Sequence, residues 1–302
     1  MSIAKTILCA ALIAGGLTQP ASAQGSSGTL GKIKSTGEIS IGYREAAVPF
    51  SYLDDRQKPV GFSMDVCMKV ADAIKAKLGL DKLEVRITPV TAATRIPLIA
   101  NGTIDLECGS TTNNVDRQKQ VAFTNTHFLT ATRFASKAGA KLTKVEDLKG
   151  KTVVATSGTT NIRQINELNA ARGLGLTIQA AKDHAEGFLA LETGRAVAFF
   201  NDDVLLASLI ASSKAPGDYV ISSDAISAPE PYGIMMRRDD PEFKKAVDEA
   251  TSTIYRTEGV SLYEKWFTKP IPPRGINLGL PMSPAMRKAM TNPSDSPDPA
   301  SY

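Results

Sequence analysis

Residues Asp105 to Phe123 read DLECGSTTNNVDRQKQVAF. Within that stretch, Ser110 to Asn114 are five consecutive small or amide residues, set between an apolar run and Arg117. Such a run has almost no side chain to bury. It reads either as a plain loop or as a cradle of hydroxyls and backbone N–H groups that holds an anion, with Arg117 as the countercharge. The flanking sequence bears on the choice.

From Gly37 onward, strand-like and helix-like patterns alternate. EISIGYR is a short strand, and SMDVCMKVADAIKAKLGL carries apolar residues at helical spacing and closes at Gly79. LEVRITPV is a second strand, TRIPLIANG a short helix ending in Gly102, and IDLECG a third strand, so the cradle follows a strand end. A βαβαβ order implies a parallel sheet with crossover helices. A second unit starts near Ala138. VEDLKG is a brief helix, KTVVATSG a strand, and TTNIRQINELNAARG a helix with Thr159 or Thr160 near its N-cap; LTIQAAK, HAEGFLALETG and RAVAFFND then give strand, helix and strand. Between the units, HFLTATRFASK and ISAPEPYGIMMRR read as extended, and PEFKKAVDEATSTIYRTEG and SLYEKWF as two helical segments that pack back on the first unit. The chain is therefore expected to form two α/β lobes joined by two strands, each lobe a mostly parallel sheet flanked by helices. Residues 29–130 and 232–292 make the first lobe, 131–231 the second, and 293–302 (PSDSPDPASY) a disordered tail.

Composition narrows the function. The 302 residues hold 35 Lys and Arg against 31 Asp and Glu, and no basic run is interleaved with aromatics, which argues against a nucleic-acid partner. Lys5, the apolar TILCAALIAGGL and the small residues ASA before Gln24 read as an export signal, residues 1–23, in a run too short to span a bilayer. An exported chain with no anchor of its own implies a soluble protein of the periplasm. Removing the signal leaves Cys67 and Cys108. In an oxidising compartment they could pair, and geometry allows a bridge without demanding it; two separate buried thiols fit equally well.

Ligands of open α/β sheets sit beyond the carboxyl ends of strands. Those ends deliver Arg44, then Ser110, Thr112 and Arg117, then the turn Ser157 to Thr160, then Asn201, Asp202 and Asp203. Each has a bland alternative. TSGTT is also an ordinary N-cap turn, Arg44 and Arg95 are also ordinary surface charges, Asp202 could simply cap the next helix, and His184 could cap or be exposed. His127, in an apolar strand, reads as structural.

The stretches GYREAAVPFSYLD, NGTIDLECGSTTNNVDRQKQVAF, VVATSGTT, AKDHAEGF, LETGRAVAF and EKWFTKPIPP resemble the glutamate/aspartate-binding proteins of ABC amino-acid importers, from about Thr29 to near residue 292. The resemblance implies a type II periplasmic binding-protein fold, two lobes closing on an amino acid, likeness to a monomer, and an inner-membrane ABC permease complex as partner. It also implies roles. Arg117 grips the ligand α-carboxylate, with Thr112 and Thr160 donating further hydrogen bonds; Ser110 and Asp202 take the α-ammonium; Arg44, Arg95 and His184 surround the side-chain carboxylate. The family often has a serine three residues before the second arginine, where this chain has Ala92, so one hydroxyl donor is missing.

Counted from these residues, three arginines face one aspartate. A ligand with two carboxylates and one ammonium, L-glutamate or L-aspartate, fits that excess, whereas a neutral amino acid leaves buried arginine poorly paired. The rival is an enzyme on the same fold, such as a cyclohexadienyl dehydratase-like protein, which needs a general acid beside the bound carboxylates. Glu107 is the one candidate, and it reads better as a paired core acid. A receptor-type sensing module would be tethered or fused. No metal-ligand spacing, phosphate loop or Ser-His-Asp arrangement is present in the sequence, so no cofactor is implied.

Overall fold

The computed structural model describes residues 28–302, and the signal segment read at 1–23 lies outside the described residues. Two five-stranded sheets organise them. The first has the order Glu84–Pro89, Glu38–Tyr43, Leu106–Cys108, Met235–Arg237, Val121–Phe123. Its first three strands are parallel, and Met235–Arg237 enters antiparallel from the far end of the chain. The connecting helix Phe62–Leu78 buries Met64, Cys67, Val70, Ala71 and Ile74 at helical spacing. Gly79, with φ 62°, ends it by turning its N–H back onto the last carbonyls.

The second sheet runs Thr177–Ala181, Thr152–Thr156, Ala198–Asp202, Thr132–Lys137, Tyr219–Ile221, again with three parallel strands and then antiparallel partners. Between the sheets the chain crosses twice, and the crossings pair with each other: Phe128–Thr130 lies antiparallel to Glu230–Tyr232 with Thr130 opposite Glu230. The type II architecture expected from the sequence is thus the one observed. His127, at the first crossing, is fully buried among Phe50, Phe62 and Tyr232, with Nε2 3.1 Å from the Ser63 hydroxyl. Burial drives its pKa down to about 3, so it is neutral and structural.

Two expectations require correction. The two C-terminal helical segments are one helix, Pro241–Phe267, 27 residues long. A mid-helix glycine costs roughly 1 kcal/mol, but Gly259 has a packing reason: a Cβ there would stand 2.9 Å from Met290 Sδ. The buried face continues through it from Ile254 and Tyr255 to Leu262, Tyr263 and Trp266, and tertiary burial overrides the local break. The tail read as disordered is folded onto the first lobe. The Ser294 carbonyl accepts from Thr126 N–H at 2.7 Å, and the Tyr302 ring packs on the core while its hydroxyl meets Thr126 Oγ1 at 2.7 Å. A polar, proline-rich composition conceals that single aromatic anchor.

Cys67 and Cys108 form a disulfide, Cα atoms 6.2 Å apart, tying the helix Phe62–Leu78 to the strand that leads into Ser110 to Asn114. Closing a 41-residue separation restricts the unfolded chain by up to about 4 kcal/mol in the chain-entropy account. Reduction, or the paired change Cys67→Ala and Cys108→Ala, should therefore lower unfolding free energy by about 2–4 kcal/mol in urea titrations. A midpoint unchanged by reduction of both thiols would show that the bridge adds nothing.

Candidate functional site

The cradle begins where Leu106–Cys108 ends. Asn114 caps the short helix Val115–Gln118, its side chain accepting from Arg117 N–H at 2.9 Å. Arg117 folds back so that Nη1 donates to the Thr112 carbonyl at 2.8 Å and Nη2 to the Gly158 carbonyl of the second lobe at 3.2 Å. A guanidinium has five N–H donors, so three remain. The Asn113 amide donates to the Pro231 carbonyl at 2.7 Å, stitching the cradle to the second crossing strand.

Arg44 and Arg95 are both buried beside the cradle. Arg95 opens the helix Arg95–Ala100; its Nη1 reaches the Ser110 carbonyl at 3.3 Å, donates to Thr111 Oγ1, and lies 3.8 Å from Glu107 Oε1. Glu107 is fully buried and accepts from Thr111 Oγ1 at 2.6 Å, which makes it the paired core acid read from the sequence. Arg44 reaches across the cleft, with Nη2 3.4 Å from His184 Nε2. His184 opens the helix His184–Glu192, and its Nδ1 lies 2.9 Å from Thr156 Oγ1. Burial, then Arg44 and Arg95, hold His184 well below the ordinary histidine range. A neutral ring that accepts from Arg44 at Nε2 must carry its proton on Nδ1. His184 therefore orients Arg44 rather than adding positive charge.

In the second lobe Thr159 caps the helix Thr160–Arg172, accepting from Ile162 N–H at 3.3 Å. Asp202 occupies an N-cap position but makes no capping bond. Its carboxylate instead accepts from Asn161 Nδ2 at 2.7 Å and from the Tyr232 hydroxyl. Tyr232 is held far above its ordinary value by burial and by Asp202, so it remains a donor.

All eight residues singled out in the sequence, Arg44, Arg95, Ser110, Thr112, Arg117, Thr160, His184 and Asp202, line one closed-down gap of about 10 Å³ between the lobes, together with Thr159 and Asn161. That is about the room of a single water, far below the roughly 300–1,000 Å³ of cavities for drug-sized molecules, so a ligand enters only as the lobes part. Three buried donors facing this region have no hydrogen-bond partner: Arg44 Nη1, Arg95 Nε and the Ser110 hydroxyl. Burial and then the nearby Arg95 depress Arg117 to about 9 and Arg44 to about 10. A set of desolvated, mutually repelling cations with unused donors favours an anionic, acceptor-rich occupant.

Sequence reasoning missed Glu230. Its carboxylate accepts from Thr112 Oγ1 at 2.9 Å, from Thr160 Oγ1 at 3.1 Å and from Gln164 Nε2. The donor capacity that the resemblance assigned to Thr112 and Thr160 is thus spent on Glu230, and each hydroxyl presents lone pairs instead. The charge count changes as well, because Glu107 and Glu230 add two buried acids beside the three arginines. The only sequence signal was an acid bracketed by Pro229 and Pro231 at a crossing strand. Asn161, equally unforeseen, was hidden in an ordinary helix start.

Closure is close-packed. A Cβ on Gly158, which has φ 76°, would lie 2.6 Å from Ala93 Cα and 2.7 Å from the Ala92 carbonyl. Ala92, where a serine was anticipated on family grounds, therefore lies against the second lobe's turn. On the surface the lobes also meet through Arg163 and Asp116 at 3.0 Å.

The model for bacterial extracellular solute-binding proteins, family 3, matches residues 39–269. The chain belongs to that family. It is 48% identical to the L-glutamate/L-aspartate-binding protein of Pseudomonas aeruginosa over 98% of each chain. It is 44% identical to the glutamate/aspartate import solute-binding protein of Escherichia coli over 97% of each. Among solved structures, an ancestral amino acid-binding protein described as a precursor of cyclohexadienyl dehydratase superimposes with a TM-score of 0.68 at 25% identity, covering 80% of this chain and all of that one. Among the described residues no helix is long and apolar enough to cross a membrane.

Burial and then the adjacent Glu230 lift Asp202 to about 7, against hydrogen bonds from Tyr232 and Asn161 that pull it down. A folded-state value above the ordinary 3.8 means that the fold takes up a proton that the unfolded chain has released. This group therefore favours folding below about pH 4, and its contribution is lost as pH rises through about 7. Melting temperatures of ligand-free protein between pH 4 and 8 should fall more steeply for the parent than for Asp202→Asn. Parallel profiles would show that Asp202 titrates normally.

Proposed function

We propose that this chain captures L-glutamate and L-aspartate between its lobes in the periplasm and hands them to an inner-membrane ABC permease complex, as a soluble monomer without a cofactor. Residues 29–130 and 232–292 form the ligand-facing first lobe and 131–231 the second, with residues 1–23 removed on export. The observation that carries the ligand class is the pair of unpartnered arginine donors, Arg44 Nη1 and Arg95 Nε, at the cleft. They suit a second carboxylate beyond the one offered to Arg117. The printed names of the two relatives support the same ligands, and their near-complete alignment supports the same transport role.

The proposed chemistry is holding, not turnover. Asp202 faces the position for the ligand ammonium, and lone pairs of Thr112 and Thr160 suit the same group. Arg117 takes the α-carboxylate with the N–H donors that its two carbonyl contacts leave over. Arg44, oriented by His184, and Arg95, braced by Glu107, take the distal carboxylate. Glu107, the acid that the dehydratase-like alternative would call on, accepts from Thr111 and lies beside Arg95, and Asp202 is given to the ammonium position.

Calorimetric titration of unfolded, washed and refolded protein tests the proposal. L-Glutamate and L-aspartate should bind at about 1 μM or tighter, about 8 kcal/mol. L-Glutamine, lacking one charge, should bind at least about a hundredfold more weakly, because a buried arginine loses its charged acceptor. Arg44→Ala should weaken glutamate by about 2–4 kcal/mol and narrow the gap to glutamine. Equal affinity of the parent protein for glutamate and glutamine would refute the assignment.

A further inference from the structure

The cradle Ser110 to Asn114 carries only small polar and amide side chains, buried from Ser110 to Asn113, so hydrogen bonds rather than apolar packing set its position. One set comes from the crossing strand, through Asn113 N–H and the Pro231 carbonyl. The other comes from the C-terminal segment. The buried Asn113 side chain donates through Nδ2 to the Asp295 carbonyl at 2.8 Å. Gln118 Nε2 bridges that same carbonyl at 3.4 Å and Asn113 Oδ1 at 2.9 Å. Asn113 and Gln118 bracket Arg117 in sequence, so one backbone carbonyl of the tail fixes both ends of the turn that aims the guanidinium.

The tail is itself held at three places. Ser294 accepts from Thr126 N–H at 2.7 Å. Lys244 Nζ lies between Asp295 at 2.8 Å and Asp248 at 2.6 Å. Tyr302 packs its ring on the first-lobe core and places its hydroxyl 2.7 Å from Thr126 Oγ1 and 2.7 Å from the Ser296 carbonyl. Thr126 lies two residues before the first crossing strand, Phe128–Thr130. The segment therefore spans from the entry of the hinge to the back of the ligand cradle.

We infer that residues 293–302 form a positioning strap, which holds Asn113 and Gln118 so that Arg117 and the Thr112 hydroxyl meet an amino-acid ligand in register. For its affinity readout the inference rests on the proposed ligands. A loop set by backbone hydrogen bonds binds tightly only while its geometry is held, because ordering it on binding subtracts from affinity. None of the strap residues lines the gap itself, so the effect is exerted through Asn113 and Gln118.

The test uses the full chain with Tyr302→Ala, Asn113→Ala and the double change, and Tyr302→Phe as a milder variant that keeps the ring and removes the hydroxyl. Each single alanine change should raise the glutamate Kd about five- to tenfold through faster release. The double change should be no more than about twofold worse than Asn113→Ala, because both break one connection. Hydrogen exchange on ligand-free protein should accelerate at residues 110–118 in both Tyr302 variants, with the strand Glu38–Tyr43 unchanged. An unaltered Kd with unaltered exchange at 110–118 overturns the strap. So does faster exchange spread evenly over the first lobe, since that marks only lost stability. If the parent protein fails to bind glutamate, the ligand proposal falls, while exchange at residues 110–118 still decides the strap.

Discussion

Three guanidinium groups withdrawn from water in one cleft set the terms for everything around them. An isolated buried cation is costly, and a cluster of them repels, so each needs carbonyls, carboxylates or a ligand in fixed positions. Arg95 has Glu107, Thr111 and the Ser110 carbonyl; Arg117 has carbonyls from both lobes; Arg44 has a neutral histidine. The framework follows from that need. The disulfide fixes the strand leading to the cradle, and Gly109 leaves space where a Cβ would lie 2.3 Å from Glu107 Oε1 and 2.9 Å from Arg44 Cγ.

The two lobes are coupled through the crossing strands as well as across the cleft. Glu230 takes one hydroxyl from each lobe, and Tyr232, buried in the first-lobe core, reaches Asp202 of the second. Asp202, Asn161, Thr132, Gln164 and Glu230 are joined in one chain of hydrogen bonds. A change in the relative angle of the lobes therefore disturbs Glu230 and Asp202 at the same moment as Arg117 and Arg44, which also bond across the cleft. Under the proposed function, ligand capture and closure are then one equilibrium, driven by differential affinity for the closed form.

Much of this was legible in the sequence because it rests on local rules. Alternating strands and helices gave the two units, and strand ends carrying Arg44, Ser110, Thr112 and Asp202 gave the cleft. Family likeness then joined Arg95 and His184 to them. What stayed hidden depends on long-range contact. Nothing around Glu230 says that it accepts from residues 118 and 70 positions away. Gly259 looks like a helix break until Met290 is seen beside it, and a polar tail looks unstructured until Tyr302 finds its place on the core. The charge count erred for the same reason, since burial of an acid is a property of the fold.

Gly158 gives the cleft a fixed gauge. Where its backbone meets Ala92 and Ala93 there is no room for a side chain, so in this structure the lobes meet there through main chain. Under the proposed function, an amino acid in the gap holds this turn off Ala92, which stretches the Arg117 to Gly158 contact on the same side. On that reading the length of the solute is translated into the degree to which the lobes close.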